Sequence, residues 1–411
     1  DQLTALSSGA FEGMNTEDLD ALTSAALVGL TPAQVGTLDS TELQALNTDI
    51  ANLSTAALHT LTSDQLAAMT TDQIAGLDSA DVAALTPAAL VGLSSDQLNA
   101  LSSSAFEGMS TADLSALTSE SLSGLTTAQV GTLSTSEIQA LNTDIANLST
   151  AALQALTSDQ LGALTTAQIA NLDSVDVAAL TSSALTGLHS DQLGALNSSA
   201  FTAMNAADLS ALTSEALAGL TSDQVSTLIA AEIRALGTDI ANANTAAIQA
   251  LTSVQLAAFT TAQISALDST DVAALSSSAV VGFSSAQLNA INSSAFMALS
   301  TADLAALTSG ALAGLTSDQV STLNSGEIQA IGTDITNLST AAMHALTSDQ
   351  LGALTTAQIA GLDSADVEAL TSGALTGLHS DQLSALTSEA FTGMNTGDLS
   401  ALTSEALSGL T

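Results

Sequence analysis

The chain has 411 residues, of which 41 are acidic and one, Arg234, is basic, giving a formal net charge of −40. Such a balance excludes nucleic-acid binding, which needs Lys and Arg to neutralise phosphates. It also disfavours anionic membrane surfaces and rules out ion-pair networks. Hydrophobic residues make up 46% of the sequence, ample for a core, but no apolar run is long enough to cross a membrane because polar residues interrupt it every few positions.

Read from Asp1, the sequence is a string of eight-residue units: 23–30, 31–38, 54–61, 62–69, 70–77 and so on. Positions 1 and 2 are nearly always Ser, Thr, Asn or Asp, position 4 is often Gln, Glu or Asp, and positions 5 and 8 are Leu, Ile, Val, Phe or Met. This is a helix-start pattern. A hydroxyl or amide at the cap accepts a bond from an orphan backbone N–H, and a Gln or Glu three residues on reaches back to the cap's own N–H. Thr62 with Gln65, Thr70 with Gln73 and Asp39 with Glu42 fit it. Pro32 and Pro87, the only two prolines, each follow a cap Thr and so occupy the first helical position, where a missing N–H costs nothing.

The apolar spacing predicts that each helix ends inside its octad. Leu66 and Met69 share a face, but Ile74 comes five residues later, and an unbroken helix of about 3.6 residues per turn would carry those positions around its surface. Helices this short are unstable alone in water, so stacking must hold them. A β-solenoid of octapeptides is the structural rival; abundant Leu, Ala and Gln and the lack of strict alternation count against it.

Two longer periods follow along the chain. The segment Asp1-Gln2-Leu3 recurs at Asp96, Asp191, Ala286 and Asp381, a super-repeat of 95 residues (1–95, 96–190, 191–285, 286–380 and a partial 381–411). Each full copy holds one unit shortened by a residue, at 47–53, 142–148, 237–243 and 332–338. Within the copies, residue classes repeat every fourth octad. The clearest marker is an aspartate before the first large apolar residue: Asp18, Asp49, Asp81, Asp113, Asp144, Asp176, Asp208, Asp239, Asp271, Asp303, Asp334, Asp366 and Asp398. The expected fold is therefore all-α: one elongated α-solenoid over residues 1–411, built from helices of about seven residues, with four octads (about 32 residues) per turn and the aspartates along one edge. About thirteen turns at helix spacings of 8–10 Å would extend roughly 100–130 Å. With no polar cap repeat at either end, the 411 residues read as a window on a longer repetitive chain or as a subunit whose ends meet others.

Candidate chemistry is sparse. Most carboxylates fall in the first turn of their helices, where backbone N–H groups and the helix dipole favour them. The aspartate series is the one candidate for cation contact. Calcium needs six to eight oxygens in one shell, so a single carboxylate per turn suits weak or interchain bridging by divalent cations rather than a cage. His59 and His344 sit between the large apolar positions of their octads, and His189 and His379 take the cap position; none has a second histidine near it in sequence. The serines and threonines are accounted for as caps, and no G-x-S-x-G or phosphate-binding glycine loop occurs. Ice binding by the regular hydroxyls is a weaker idea for the same reason. Phe11, Phe106, Phe201, Phe296 and Phe391 hold one equivalent position per copy and read as core. Glycines such as Gly29, Gly76 and Gly92 precede the last apolar residue, which suits close helix packing. No enzyme and no cofactor are expected, Ca²⁺ apart.

The stretches Leu61-Thr62-Ser63-Asp64-Gln65-Leu66 and Leu164-Thr165-Thr166-Ala167-Gln168-Ile169-Ala170 resemble the L-T-x-x-Q-[IL]-x-x-L repeats of very long secreted bacterial proteins of adhesin-like or RTX-associated type. The resemblance runs through essentially the whole chain. It implies export from a Gram-negative bacterium and a place at the cell surface, and it carries over no functional residues. The near-absence of sites for trypsin-like proteases suits such exposure. The expected function is an extracellular structural element, either a self-assembling filament, sheath or surface-layer component, or the spacer stalk of a large adhesin with Ca²⁺-dependent rigidity.

Overall fold

The computed structural model describes residues 3–410. Among them it contains 46 α-helices, each of four to six residues, and six 3-10 segments, with no strand. Each octad contributes one such element. Thr31 is an N-cap in extended backbone whose side chain accepts from the Gln34 N–H, and Pro32 takes the first helical position; Pro87 does the same after Thr86. The Thr62–Gln65 and Thr70–Gln73 capping boxes close as the sequence implies. Many helices end because the last apolar residue swings back to extended backbone: Met69 has ψ 145° and Leu85 ψ 150°. That residue both closes one helix and delivers the next cap.

The chain divides into two compact units, Asp1–Leu212 and Thr213–Thr411. In each, a helix packs against the helix three octads away. In the first, Ser95–Ala100 lies on Thr71–Ala75, and Thr166–Asn171 on Ser190–Ala195; in the second, Thr356–Gly361 lies on Ser380–Ala385. Leu66, Ile74 and Leu98 at octad position 5 are fully buried, as are their equivalents Leu256, Ile264 and Leu288. Phe11, Phe106, Phe201 and Phe296 are the largest buried side chains, so the core reading of that series holds for those four. Each unit is thus an α-solenoid with a thin continuous core.

The shortened units have a distinct geometry. Removing one residue leaves no room for an extended cap, so the preceding helix runs through an αR residue, Leu46 or Leu141, into a left-handed residue and then a 3-10 segment. The left-handed residues are Asn47 (φ 49°), Asn142 (φ 50°), Gly237 (φ 57°) and Gly332 (φ 64°). Asn and Gly are the residues that adopt this region at least cost.

Candidate functional site: ladders between the turns

Short helices leave as many orphan carbonyls as they satisfy, and the structure pairs these across turns. At octad position 4, each buried glutamine works in both directions. Its Oε1 accepts the cap residue's N–H, and its Nε2 donates to carbonyls four octads back, at positions 5 and 8 in most rungs; where a shortened unit intervenes directly, the second acceptor is instead the left-handed residue, as for Gln73 on Leu43 and Asn47, Gln263 on Ile233 and Gly237, and Gln358 on Ile328 and Gly332. Gln65 Nε2 lies 3.1 and 2.9 Å from the carbonyls of Val35 and Leu38. Gln97 repeats this on Leu66 and Met69 (3.0 and 2.7 Å), and Gln129 on Leu98 and Leu101 (2.9 Å each). In the second unit the series includes Gln255, Gln287, Gln319, Gln350 and Gln382. The rungs join octads of the same class, so the four-octad period in the sequence is the period of a carboxamide ladder.

A second set of bonds runs the other way, from position 6 to a carbonyl three octads on. Gln139 Nε2 donates to Ala163 O at 2.6 Å, Arg234 Nε to Ala258 O at 3.0 Å, and Asn99 Nδ2 to Gly124 O at 3.2 Å. Nδ1 of His59 lies 3.0 Å from Ala84 O, and that of His344 lies 3.0 Å from Ala369 O. These two histidines therefore make a position-6 tie of the same kind as that of Gln139. His189 and His379 give their backbone N–H to Gln192 and Gln382, and the rings lie over Gly162 and Gly352, where a Cβ would stand 3.6 and 3.5 Å from Nε2.

Inter-turn partners are separated by 24 to 31 residues, 24 for Gln139–Ala163 and 31 for Gln97–Leu66. Adjacent turns are thus staggered, with a helix standing over the seam between the octads three and four units away. The four-octad spacing expected from the sequence is the spacing of the glutamine rungs.

The aspartates of the four-octad series differ in exposure. Asp81, Asp113, Asp176, Asp208, Asp271, Asp303 and Asp398 are buried, Asp49, Asp144 and Asp366 half-buried, and Asp18, Asp239 and Asp334 exposed. Most cap their own helix from position 4: Asp81 Oδ2 accepts the Asp78 N–H at 3.0 Å, and Asp113 Oδ2 that of Ser110 at 2.8 Å. Across turns their partners are serines rather than one another. Ser24, Ser119, Ser182, Ser214, Ser277 and Ser372 donate to Asp49, Asp144, Asp208, Asp239, Asp303 and Asp398 over 2.6–2.9 Å.

The equivalent residues Asp81, Asp176, Asp271 and Asp366 have their carboxyl pKa raised, first by burial and then by the neighbouring Asp78, Asp173, Asp268 or Asp363 carboxylate, with the cap N–H opposing. Asp268 is lowered by the backbone N–H groups of Asp271 and Thr270. Among the described residues, no three of His, Asp and Glu gather in an arrangement that could hold a metal ion. No described buried side-chain polar atom lacks a partner. No described helix is long and apolar enough to cross a membrane.

Two features escape sequence reasoning. The donor half of each glutamine is invisible because a capping box already accounts for the residue. The severity of the glycine contacts also goes unread: a Cβ on Gly92, Gly124, Gly187 or Gly282 would lie 2.0–2.1 Å from the carbonyl oxygen of Ser63, Ser95, Ser158 or Ser253. The signal for the second lay in the sequence, since Gly29, Gly124, Gly219, Gly314 and Gly409 hold one equivalent position in every copy.

Capped helices of less than an octad, tied turn to turn by a repeating carboxamide ladder, define an α-helical solenoid repeat protein. The profile of the ALTTAQ repeat matches residues 11–48, 47–79, 74–111, 106–143, 142–174, 264–301, 296–333, 332–364 and 359–396, and the chain belongs to this family. The string Ala-Leu-Thr-Thr-Ala-Gln itself stands at residues 163–168 and 353–358, where Gln168 and Gln358 are both cap partners and rungs. Each matched segment covers about one rung-to-rung interval. No curated protein matches the chain.

Proposed function

We propose that the chain is an extracellular structural protein of a bacterial surface, a scaffold whose repeating turns are themselves the functional unit and which self-assembles into a filament, sheath or surface layer. The observation that carries this reading is the consumption of polar chemistry by the fold. Hydroxyls cap helices, glutamines and histidines tie turns, and position-4 aspartates cap and accept across turns. Such side chains hold a scaffold together, and in this reading the chain acts without catalysis or a resident cofactor.

The density of unopposed carboxylates favours a second reading, the spacer stalk of an adhesin, because like-charged rods repel each other and remain single. In either reading, divalent cations act by bridging or screening exposed carboxylates such as Asp18, Asp239 and Asp334. Electron microscopy of the purified chain at low salt, and again with millimolar Ca²⁺, separates the two. Regular fibres many times longer than one molecule support assembly; single rods under both conditions support the stalk and overturn the filament.

A further inference from the structure

Positions 95 residues apart are near-copies, so a stretch that departs from its equivalents differs in surface rather than in fold. One interior stretch has lost its charge. Across residues 240–302 only Asp268 and Asp271 are acidic, whereas the equivalent stretches 145–207, 50–112 and 335–397 hold four, six and six carboxylates. Val254 stands where the other copies have Asp64, Asp159 and Asp349, and Gly310 where Glu120, Glu215 and Glu405 stand; Ile229 and Ala230 replace polar residues such as Asn324 and Ser325. These positions share one face. Ser325, Asp349, Thr376 and Glu405 line a single open groove, and the residues 95 positions earlier are Ala230, Val254, Val281 and Gly310. The helices that carry the first three stack in that order, Ala230–Ala235 on Ser253–Ala258 and the latter on Ser277–Val280, and Gly282 lies so close that a Cβ would stand 2.1 Å from Ser253 O. Val254 is 75% exposed, Ile229 61% and Val281 45%, so the face is apolar and open. Arg234, the only cation of the chain, is exposed at one edge, its Nε tied to Ala258 O. At the other edge Ser309–Leu312 packs on the 3-10 segment Gly332–Asn337, which carries the exposed Asp334.

We propose that this face binds a second copy of the chain, same face to same face, about a two-fold axis near Val281. The equivalent faces put carboxylates at these positions, so here two chains of charge −40 can approach without setting those carboxylates against each other. Val281 lies close to midway between Arg234 and Asp334 in the chain, and a two-fold axis there turns the Arg234 edge of each copy toward the Asp334 edge of the other, cation to carboxylate, twice. Three helix spacings of about 8–10 Å, by a six-residue helix at about 1.5 Å per residue, give an apolar patch of roughly 250 Å² per copy. That is well below the roughly 800 Å² per partner of a standard interface. The contact is therefore a weak lateral one, with a Kd on the order of 10–100 µM, of the kind that adds up when many molecules lie side by side. Because the chains repel through their net charge, it strengthens as salt screens them.

This inference deepens the self-assembly reading above and rests on it, and the experiment separates the two. The chain has no cysteine, so single thiols report which faces meet. In Val281→Cys the thiol lies beside the two-fold axis. Val91, the equivalent residue of an acidic stretch and 48% exposed, gives the control Val91→Cys. Both 411-residue variants are oxidised with copper phenanthroline at about 300 mM NaCl, where the Debye length is below about 10 Å, and the disulfide-linked dimer is measured by gel electrophoresis. The expected result is several times more linked dimer from Val281→Cys than from Val91→Cys. Adding Val254→Asp or Gly310→Glu should lower the Val281→Cys yield about tenfold: each restores the residue found in other copies, which keeps the fold, while the two-fold axis brings the new charge in twice. Sedimentation velocity of the wild-type chain at about 10 mM and about 300 mM NaCl reads self-association without any thiol. Multimers in that assay, combined with equal yields from the two thiols or no response to Val254→Asp, would overturn this face as the contact while leaving self-assembly standing. A wild-type chain that stays monomeric at every salt and protein concentration, with no preference between the thiols, would overturn both.

Discussion

Replacing Gln129 by leucine should disconnect one turn from the next with little change in volume. Gln129 is fully buried. Its Oε1 accepts from the N–H and hydroxyl of Thr126 at 2.8 and 3.0 Å, and its Nε2 donates to the carbonyls of Leu98 and Leu101 at 2.9 Å each. Leucine strands two buried carbonyls and a cap N–H. At about 1–3 kcal/mol for each buried group left without a partner, and with some recovery by water at the cap, the loss is about 3–6 kcal/mol.

The effect should be local, because a solenoid repeat touches only its near neighbours. Amide hydrogen exchange read by mass spectrometry should show protection falling across 94–101 and 126–133, while turns at 31–69 hold. Gln129→Glu keeps the cap acceptor but turns a carboxylate oxygen toward the two carbonyls. It should be as damaging at neutral pH and recover in acid, where a protonated carboxyl can donate again. A change below about 0.5 kcal/mol in Gln129→Leu, the range of an ordinary surface substitution, would refute the ladder as a source of stability.

Three further outcomes follow from the same geometry. The raised pKa of Asp81, Asp176, Asp271 and Asp366 means that the folded chain holds these protons more tightly than the unfolded chain. Their stabilising contribution is complete below the ordinary value of 3.8 and lost as pH rises through the raised folded value. Thermal stability should therefore climb as pH drops from neutral toward 3.8, and Asp81→Asn should raise stability at neutral pH while reducing that climb; calorimetry across the range checks both. Below 3.8 the lowered Asp268 acts in the opposite sense, its stabilisation lost as pH falls through its folded value. Gly124→Ala, whose Cβ would stand 2.0 Å from Ser95 O, should cost about 1–3 kcal/mol in denaturant unfolding. Gly108→Ala should cost less, because Ala203 and Ala298 occupy the equivalent position in other copies. Asn142→Val at φ 50° should destabilise by about 1–2 kcal/mol, whereas Asn142→Gly, matching Gly237 and Gly332, should be near neutral in the same assay.

Local features were legible in the sequence because they depend on neighbours within one octad. The cap at Thr62, its partner Gln65, the placement of Pro32 and the inward pair Leu66 and Met69 follow from hydrogen bonding and sterics over a few residues, and the repetition of that unit implies a stack. The seven-residue units could be counted in sequence, but their left-handed start at Asn47 or Gly237 becomes evident only in the folded backbone. What the second half of a side chain does is a tertiary matter. Gln65 is a complete capping residue by sequence, yet its Nε2 meets Val35 and Leu38 because the next turn lands between three and four octads away, a stagger set by how short helices nest. The aspartates show the same division. Their period is a sequence property, but whether Asp81 lies buried against Asp78 or Asp239 remains in solvent depends on which part of each helix the neighbouring turn covers.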